Sequence, residues 1–322
     1  MKNISALLKL IRFNNLLFVA LTQYLIQYAV ITPILNSAGF QPTLSNINFF
    51  LLVLSTVLVA AAGYMINDYF DLKIDSFNKP KRITIGKYFK PHGVILAHQI
   101  INGVAVILGF YVAWQAGNFK LGFIHPITAG LLWFYSTGYK KQPLIGNVVV
   151  SFLTALVVLL VVLFENQLFH ASDLGMMEAA KTIFIVTFFY FLFAFLISMI
   201  REVVKDMEDV KGDESNGCRT LPIVLGINKT KWIVYGILLM LMSGVAYIQY
   251  IQVSGGDFIS TFYLFITLQI PLLAVFYFLI KAQQQKEFSF ISSLVKVIML
   301  MGILTMAYFY LLMHTTANSG IA

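Results

Sequence analysis

Asn67-Asp68-Tyr69-Phe70-Asp71-Leu72-Lys73-Ile74-Asp75 closes a long apolar run with three carboxylates. Asp206, Asp209 and Asp213 repeat the same offsets of three and seven residues after a second apolar run. On a helix those offsets put each trio on one face, pointing the same way. Like charges that close repel, and the C-terminal end of a helix adds the negative end of its dipole, so each face calls for a cation beside it. Oxygen ligands in two matched groups suit hard divalent ions, magnesium above all when a phosphorylated ligand shares the ion. Neither trio has the Asp-x-Asp-x-Asp-Gly alternation of an EF-hand calcium loop. Nine of the 14 acidic residues lie in these two stretches once Glu202, Glu208 and Glu214 are counted. The glutamates read as a solvated helix-end face, the aspartates as ligands.

Basic residues attend both trios. Lys73, Lys79, Lys81 and Arg82 fall in or after the first, and Arg201, Lys205, Lys211 and Arg219 surround the second. Carboxylates hold a metal, while Lys and Arg take the phosphate oxygens the metal leaves uncovered, so together they describe a pyrophosphate site. Any one of these cations serves equally well as an orientation signal at lipid headgroups. Lys140 directly follows a segment containing Trp133, Tyr135 and Tyr139, which places it to reach the same cavity. Arg12 and Asn15, at the mouth of the first apolar span, offer a guanidinium fork and an amide to a polar substrate.

The elements that must position these residues are membrane helices. Of 322 residues, 59% are hydrophobic and 11% charged, a balance that marks a polytopic membrane protein. The net charge of +8 does not signal nucleic acid, because the basic residues lie between apolar spans and form no stripe on a soluble domain. Cys218 is the one cysteine, so no intrachain disulfide forms. Lys2, Lys9 and Arg12 precede an apolar stretch as in a signal peptide, but no small-residue cleavage site follows, and a retained first span is expected.

Apolar windows long enough to cross a bilayer fall at 14–35, 47–67, 93–115, 119–138, 145–165, 179–201, 231–251, 259–281 and 291–314. Lys and Arg gather at the N-terminus, in 73–90, at Lys140 and Lys141, in 201–231 and around Lys281 and Lys286, with almost none in the intervening connections. Alternation over nine spans then predicts a cytoplasmic N-terminus and an outside C-terminus, with both aspartate trios at cytoplasmic helix ends. The expected fold is all-α, nine transmembrane helices in a single domain over residues 1–322. The separation of the trios by four spans hints at two four-helix units and a ninth helix.

Aromatic residues, 15% of the chain, include Tyr64, Tyr69 and Phe70 beside the first trio and Phe188, Phe189, Tyr190, Phe191, Phe193 and Phe195 in the sixth span. Most pack helices or face lipid; some are placed to line an isoprenoid tunnel and stabilise an allylic cation with their ring faces. Metal ions and cationic side chains at a departing pyrophosphate, with apolar walls that exclude water, suit transfer of a prenyl group from its diphosphate. The histidines at 92, 98, 125, 170 and 314 form no nucleophile–base pairing with the serines, so covalent catalysis has no support. A cation-coupled transporter would place its acids near mid-membrane, and an inert lipid-binding or assembly protein would need a disabled metal site.

The two motifs, Asn67-Asp68-x-x-Asp71-x-x-x-Asp75 and Asp206-x-x-Asp209-x-x-x-Asp213, resemble the signatures of the UbiA-type intramembrane prenyltransferases. The resemblance extends to Arg12 and Asn15, to Asn78-Lys79-Pro80-Lys81-Arg82, to Tyr135-Ser136 with Lys140-Lys141, and to Arg219-Thr220-Leu221-Pro222. One departure is Phe13 after Arg12, where many relatives have proline. The resemblance implies nine helices around a central cavity, a polyprenyl diphosphate donor, and Mg2+ bridging its diphosphate to Asp68, Asp71, Asp206 and Asp209, with Asp75 and Asp213 in support. Asn67 would orient the first motif, and Lys140, Lys205, Lys81, Arg82 and Arg219 would bind phosphate groups, with Arg12, Asn15 and Tyr135 toward substrate. The run from Arg201 to Asp213 looks most like the digeranylgeranylglyceryl phosphate synthases, whose acceptor is geranylgeranylglyceryl phosphate. Homogentisate prenyltransferases have a similar second motif, so an aromatic acceptor stays open. Membrane lipids are the expected surroundings; no nucleic acid and no protein partner is implied.

Overall fold

In lipid every backbone N–H and C=O must find its partner within the chain, so apolar runs of this length become helices. The computed structural model describes residues 2–72 and 83–318, and among the described residues there is no strand. The helices are α1 (Lys2–Leu10), α2 (Phe13–Ser37), α3 (Asn46–Phe70), α4 (Pro91–Gln115), α5 (Ile124–Thr137), α6 (Ile145–Phe164), α7 (Leu174–Ser215), α8 (Leu221–Leu225), α9 (Ile227–Ser254), α10 (Phe258–Lys281) and α11 (Gln285–Asn318). Two contain a wide π-helical turn: Ile26–Ile31 in α2, just before Pro33, and Phe265–Gln269 in α10, just before Pro271. Proline clashes with the carbonyl four residues back, and a wider turn makes room for it without ending the helix.

Eight of the described helices are long and apolar enough to span a membrane, so the protein is an integral, multi-pass one. The fourth expected span, 119–138, takes another form: a 3₁₀ stretch, Phe119–Phe123, leads into the 14-residue α5. Pro126 explains where α5 begins, since a proline's missing N–H costs nothing in a helix's first turn. The sixth expected span, 179–201, extends without interruption to Ser215, because Val203, Val204 and Met207 continue its buried stripe beyond the apolar run. At 1.5 Å per residue α7 is about 63 Å long, twice the hydrocarbon thickness of a bilayer, so a long stretch of it leaves the apolar layer.

The chain forms two compact units, Met1–Lys140 with Leu156–Phe191, and Lys141–Ala155 with Leu192–Ala322. In the first, α3 packs along α4 and against α5 and α2. Gly109 of α4 is where His125 of α5 comes close: a Cβ there would stand 2.3 Å from the imidazole Nδ1. His125 is 2% exposed, and its Nε2 lies 2.8 Å from Ser55 Oγ. Because the Ser55 hydroxyl donates to Leu52 O at 2.8 Å, Nε2 carries the ring proton and donates to Ser55. Gly109→Ala is therefore expected to destabilise the protein by about 1–3 kcal/mol through overpacking, read as a lower unfolding temperature in detergent.

In the second unit, α7 contributes Leu196, Ile200, Val203, Val204 and Met207 to an apolar core completed by Leu238 and Leu241 of α9, Leu272, Val275 and Leu279 of α10, and Ile291, Val295 and Ile298 of α11. Residues 203–207 are thus held by packing three and four positions apart, which fixes the rotation of the helix carrying the second aspartate trio.

Candidate active site

The first motif sits where α3 runs out. Asp68 lies in its last turn and Asp71 caps it, with the Asp71 N–H donating to Asn67 O at 3.0 Å. Carboxylates at the negative end of a helix dipole need cations, and two are at hand. Arg12 occupies the break between α1 and α2 in a left-handed conformation, φ 50° and ψ 53°, which a non-glycine residue adopts at a cost of roughly 1–2 kcal/mol. Its Nη2 donates to Asp68 Oδ1 at 2.8 Å, and its guanidinium carbon lies 4.9 Å from the centroid of the Tyr64 ring. Asn15 Nδ2 donates to the Tyr64 hydroxyl at 3.3 Å, so arginine, tyrosine and asparagine form one polar group against Asp68.

Lys140 follows α5 in a short 3₁₀ turn, Tyr139–Lys141. Its ammonium pairs with Asp71 Oδ1 and reaches Asn67 Oδ1 at 3.4 Å, while Asn67 Nδ2 donates to Asp71 Oδ2 at 2.8 Å. The Lys140 and Asp71 side chains are only 10% and 17% exposed, so solvent weakens this pair less than a surface one. Asn67 thereby orients Asp71, and two carboxylates, an amide and two cations gather at one helix end. Tyr135 is partly buried on α5. Asp75, Lys81 and Arg82, with Lys73 and Lys79, lie outside the described residues.

In the second unit the helix does continue through its motif, so Asp206, Asp209 and Asp213 lie on one stretch of α7 with their predicted facial spacing. Asp206 accepts a hydrogen bond from Asn147 Nδ2 at 2.8 Å; Asn147, 5% exposed, comes from the first turns of α6. Sequence reasoning missed Asn147, whose one signal is a polar residue at the start of an otherwise apolar span. Glu202 is more than part of a solvated face: its side chain is 14% exposed, and Oε1 and Oε2 pair with Arg201 Nη1 at 2.9 Å and Lys205 Nζ at 3.3 Å. Gly217, at φ +73°, turns the chain after α7, and Cys218 N–H donates to Asp213 O at 2.9 Å. Arg219 is exposed, and its N–H donates to Lys141 O at 2.8 Å.

Among the described residues, no three His, Cys, Asp or Glu side chains come together as a cage for a metal ion. That excludes a closed structural zinc site among them, which takes four nitrogen or sulfur ligands. Magnesium takes one or two carboxylates and completes its shell with water and substrate phosphate oxygens. Asp68 and Asp71 beside the Asn67 amide are such a donor set, made of oxygen alone.

The sequence matches the UbiA prenyltransferase family over residues 28–299. A relative, digeranylgeranylglyceryl phosphate synthase of Methanothermobacter thermautotrophicus, is 38% identical over 184 residues, 56% of this chain. That match spans 57% of the relative, a little over half its length. A solved structure from work on the biosynthesis of digeranylgeranylglyceryl phosphate synthase in membranes shares the fold, with a TM-score of 0.62 at 24% identity over 96% of this chain and 99% of that one. So does a UbiA homolog from Archaeoglobus fulgidus bound to DMAPP and Mg2+, with a TM-score of 0.54 at 14% identity over 94% and 99%. With 272 of its 322 residues (28 through 299) inside the family's bounds, the chain belongs to the UbiA prenyltransferase family.

Proposed function

We propose that this protein transfers a geranylgeranyl group from its diphosphate to geranylgeranylglyceryl phosphate, with Mg2+ as cofactor. The observation that carries the reading is the gathering of Asn67, Asp68 and Asp71 with Arg12 and Lys140 at the end of α3. The nature of the acceptor is supported by the name of the 38% identical relative, and the polyprenyl diphosphate and magnesium by the DMAPP and Mg2+ bound to the Archaeoglobus homolog. Asp68, Asp71, Asp206 and Asp209 hold metal in this proposal, with Asp75 and Asp213 in support. Bound magnesium supplies positive charge to the departing diphosphate.

The chain's own residues do the rest. Lys140 and Arg12 present ammonium and guanidinium donors to phosphate oxygens, and Lys205, Lys81, Arg82 and Arg219 extend that role. Asn67 keeps Asp71 in place, while Asn15 and Tyr135 contribute polar contacts to substrate. The allylic C–O bond of the donor breaks, a C–O bond to the acceptor's glycerol hydroxyl forms, the hydroxyl proton leaves, and diphosphate is released. Aromatic and aliphatic walls keep water from capturing the allylic cation first. In this proposal the charged connections and the site lie on the cytoplasmic side, which the Lys and Arg bias supports.

The test incubates detergent-purified protein with labelled geranylgeranyl diphosphate and Mg2+ against geranylgeranylglyceryl phosphate, homogentisate, 4-hydroxybenzoate and dihydroxynaphthoate, with products identified by mass. The expected product is the double ether of glycerol phosphate. A product from an aromatic acid alone overturns the acceptor, and cation uptake by liposomes with no prenylated product at all overturns the transferase reading.

A further inference from the structure

We propose that the cleft where α10 ends and α11 begins binds the phosphate headgroup of an anionic membrane phospholipid. This site belongs to the second unit and is independent of the transferase reading. The cleft has a volume of about 320 Å³, and Phe278, Lys281, Lys286, Glu287 and Phe290 are among its walls. Its one acid is already committed: Glu287 Oε2 accepts the backbone N–H groups of Gln283 and Gln284 at 2.6 and 2.7 Å, holding the turn between the helices. Lys281 leans over the Tyr277 ring, 4.4 Å from its centroid, and donates to the Tyr277 hydroxyl. Beneath the turn Lys231, 7% exposed, donates to the carbonyls of Ala282 and, at 3.3 Å, Ile280, and its charge offsets that of Glu287, so Lys281 and Lys286 leave this end positive.

Lys281, in the last turn of α10, complements that helix's dipole, but Lys286 stands in the first turn of α11, where a cation opposes it. A positive charge placed against local helix stability, in one cleft with a second lysine, suits an anionic ligand. The other wall is apolar and faces outward: Phe278 and Phe290 are 38% and 53% exposed and meet edge to face at 5.1 Å. Lysines and exposed rings lining one cleft match a lipid, whose phosphate takes the cations while its acyl chain covers the phenylalanines. Free phosphate would use only the first half.

The experiment measures unfolding temperature for the delipidated full-length protein titrated with phosphatidylglycerol, phosphatidylcholine or inorganic phosphate in one detergent. Phosphatidylglycerol is expected to raise it, and the other two to leave it unchanged at equal concentration. In the double variant Lys281→Gln with Lys286→Gln, both at exposed positions, the unliganded unfolding temperature should hold while the concentration for half-maximal shift rises roughly tenfold. An equal shift with phosphatidylcholine, an equal shift with inorganic phosphate, or an unaltered phosphatidylglycerol titration in the double variant overturns the assignment. Native mass spectrometry of both proteins, counting retained phosphatidylglycerol, decides the matter if the variant's own unfolding temperature moves.

Discussion

Asp68→Asn and Asp206→Asn are each expected to cut prenyl transfer by roughly 100- to 1000-fold while the protein remains folded. Asparagine keeps the shape of aspartate but removes the charge that holds a divalent ion against a diphosphate, and a neutral amide is a far poorer ligand for a hard cation. Folding tolerates the change because little of it rests on these groups. The Arg12–Asp68 pair is partly exposed, 36% and 23% at the two side chains, and contributes little to stability, as such pairs do. At position 206 the carbonyl of an introduced asparagine still accepts the hydrogen bond of Asn147. Initial rates with labelled donor over a range of Mg2+ concentrations test this, beside unfolding temperatures of the same preparations. Rates close to wild type in either variant would remove the aspartates from the chemistry.

Glu165 is expected to matter as much, for stability. It lies just past the end of α6, is 1% exposed, and has no ionic partner among the described residues. Its carboxylate is held by hydrogen bonds: Oε1 accepts from Gln27 Nε2 at 3.1 Å, and Oε2 from the Thr43 N–H at 2.7 Å and Gln167 Nε2 at 3.4 Å. Three stretches of the first unit are joined at this one group. Glu165→Leu strips one buried donor, on Gln27, and two part-buried ones, on Thr43 and Gln167, of their acceptor, so a loss of about 3 kcal/mol and a drop in unfolding temperature of about 5 °C follow. Glu165→Gln, which keeps one acceptor oxygen, should recover part of that. A leucine variant as stable as wild type would show that these bonds are replaced by water.

Helix positions and the first motif's partners were legible because they rest on local signals: twenty-residue apolar runs, and cations flanking acids. Arg12 and Lys140 could be named as candidates because each is a charge at the edge of an apolar stretch, and each is found against an aspartate at the C-terminal end of α3. What spacing could not carry was a contact between positions far apart in sequence. Asn147 meets Asp206 across 59 residues and Gln27 meets Glu165 across 138, and in both cases the polar residue looks like an isolated interruption of an apolar span. The facial phasing of the first motif assumed an uninterrupted helix through Asp75, which lies outside the described residues; α3 ends at Phe70, and Asp71 is held by Asn67 and Lys140. In α7 the same assumption succeeds because Val203, Val204 and Met207 anchor the continuation in a core.

The wide turns Ile26–Ile31 and Phe265–Gln269 each amount to one surplus residue in a membrane-crossing rod. Since every residue of an α-helix advances the direction of its side chain by about 100°, the surplus re-phases everything downstream. Excising a single residue from either turn would let hydrogen bonding snap back to regular pitch, yet swing Leu35 in one helix, or Leu272, Val275 and Leu279 in the other, from full enclosure toward lipid. These two helices are therefore expected to tolerate substitution far better than gain or loss of a residue.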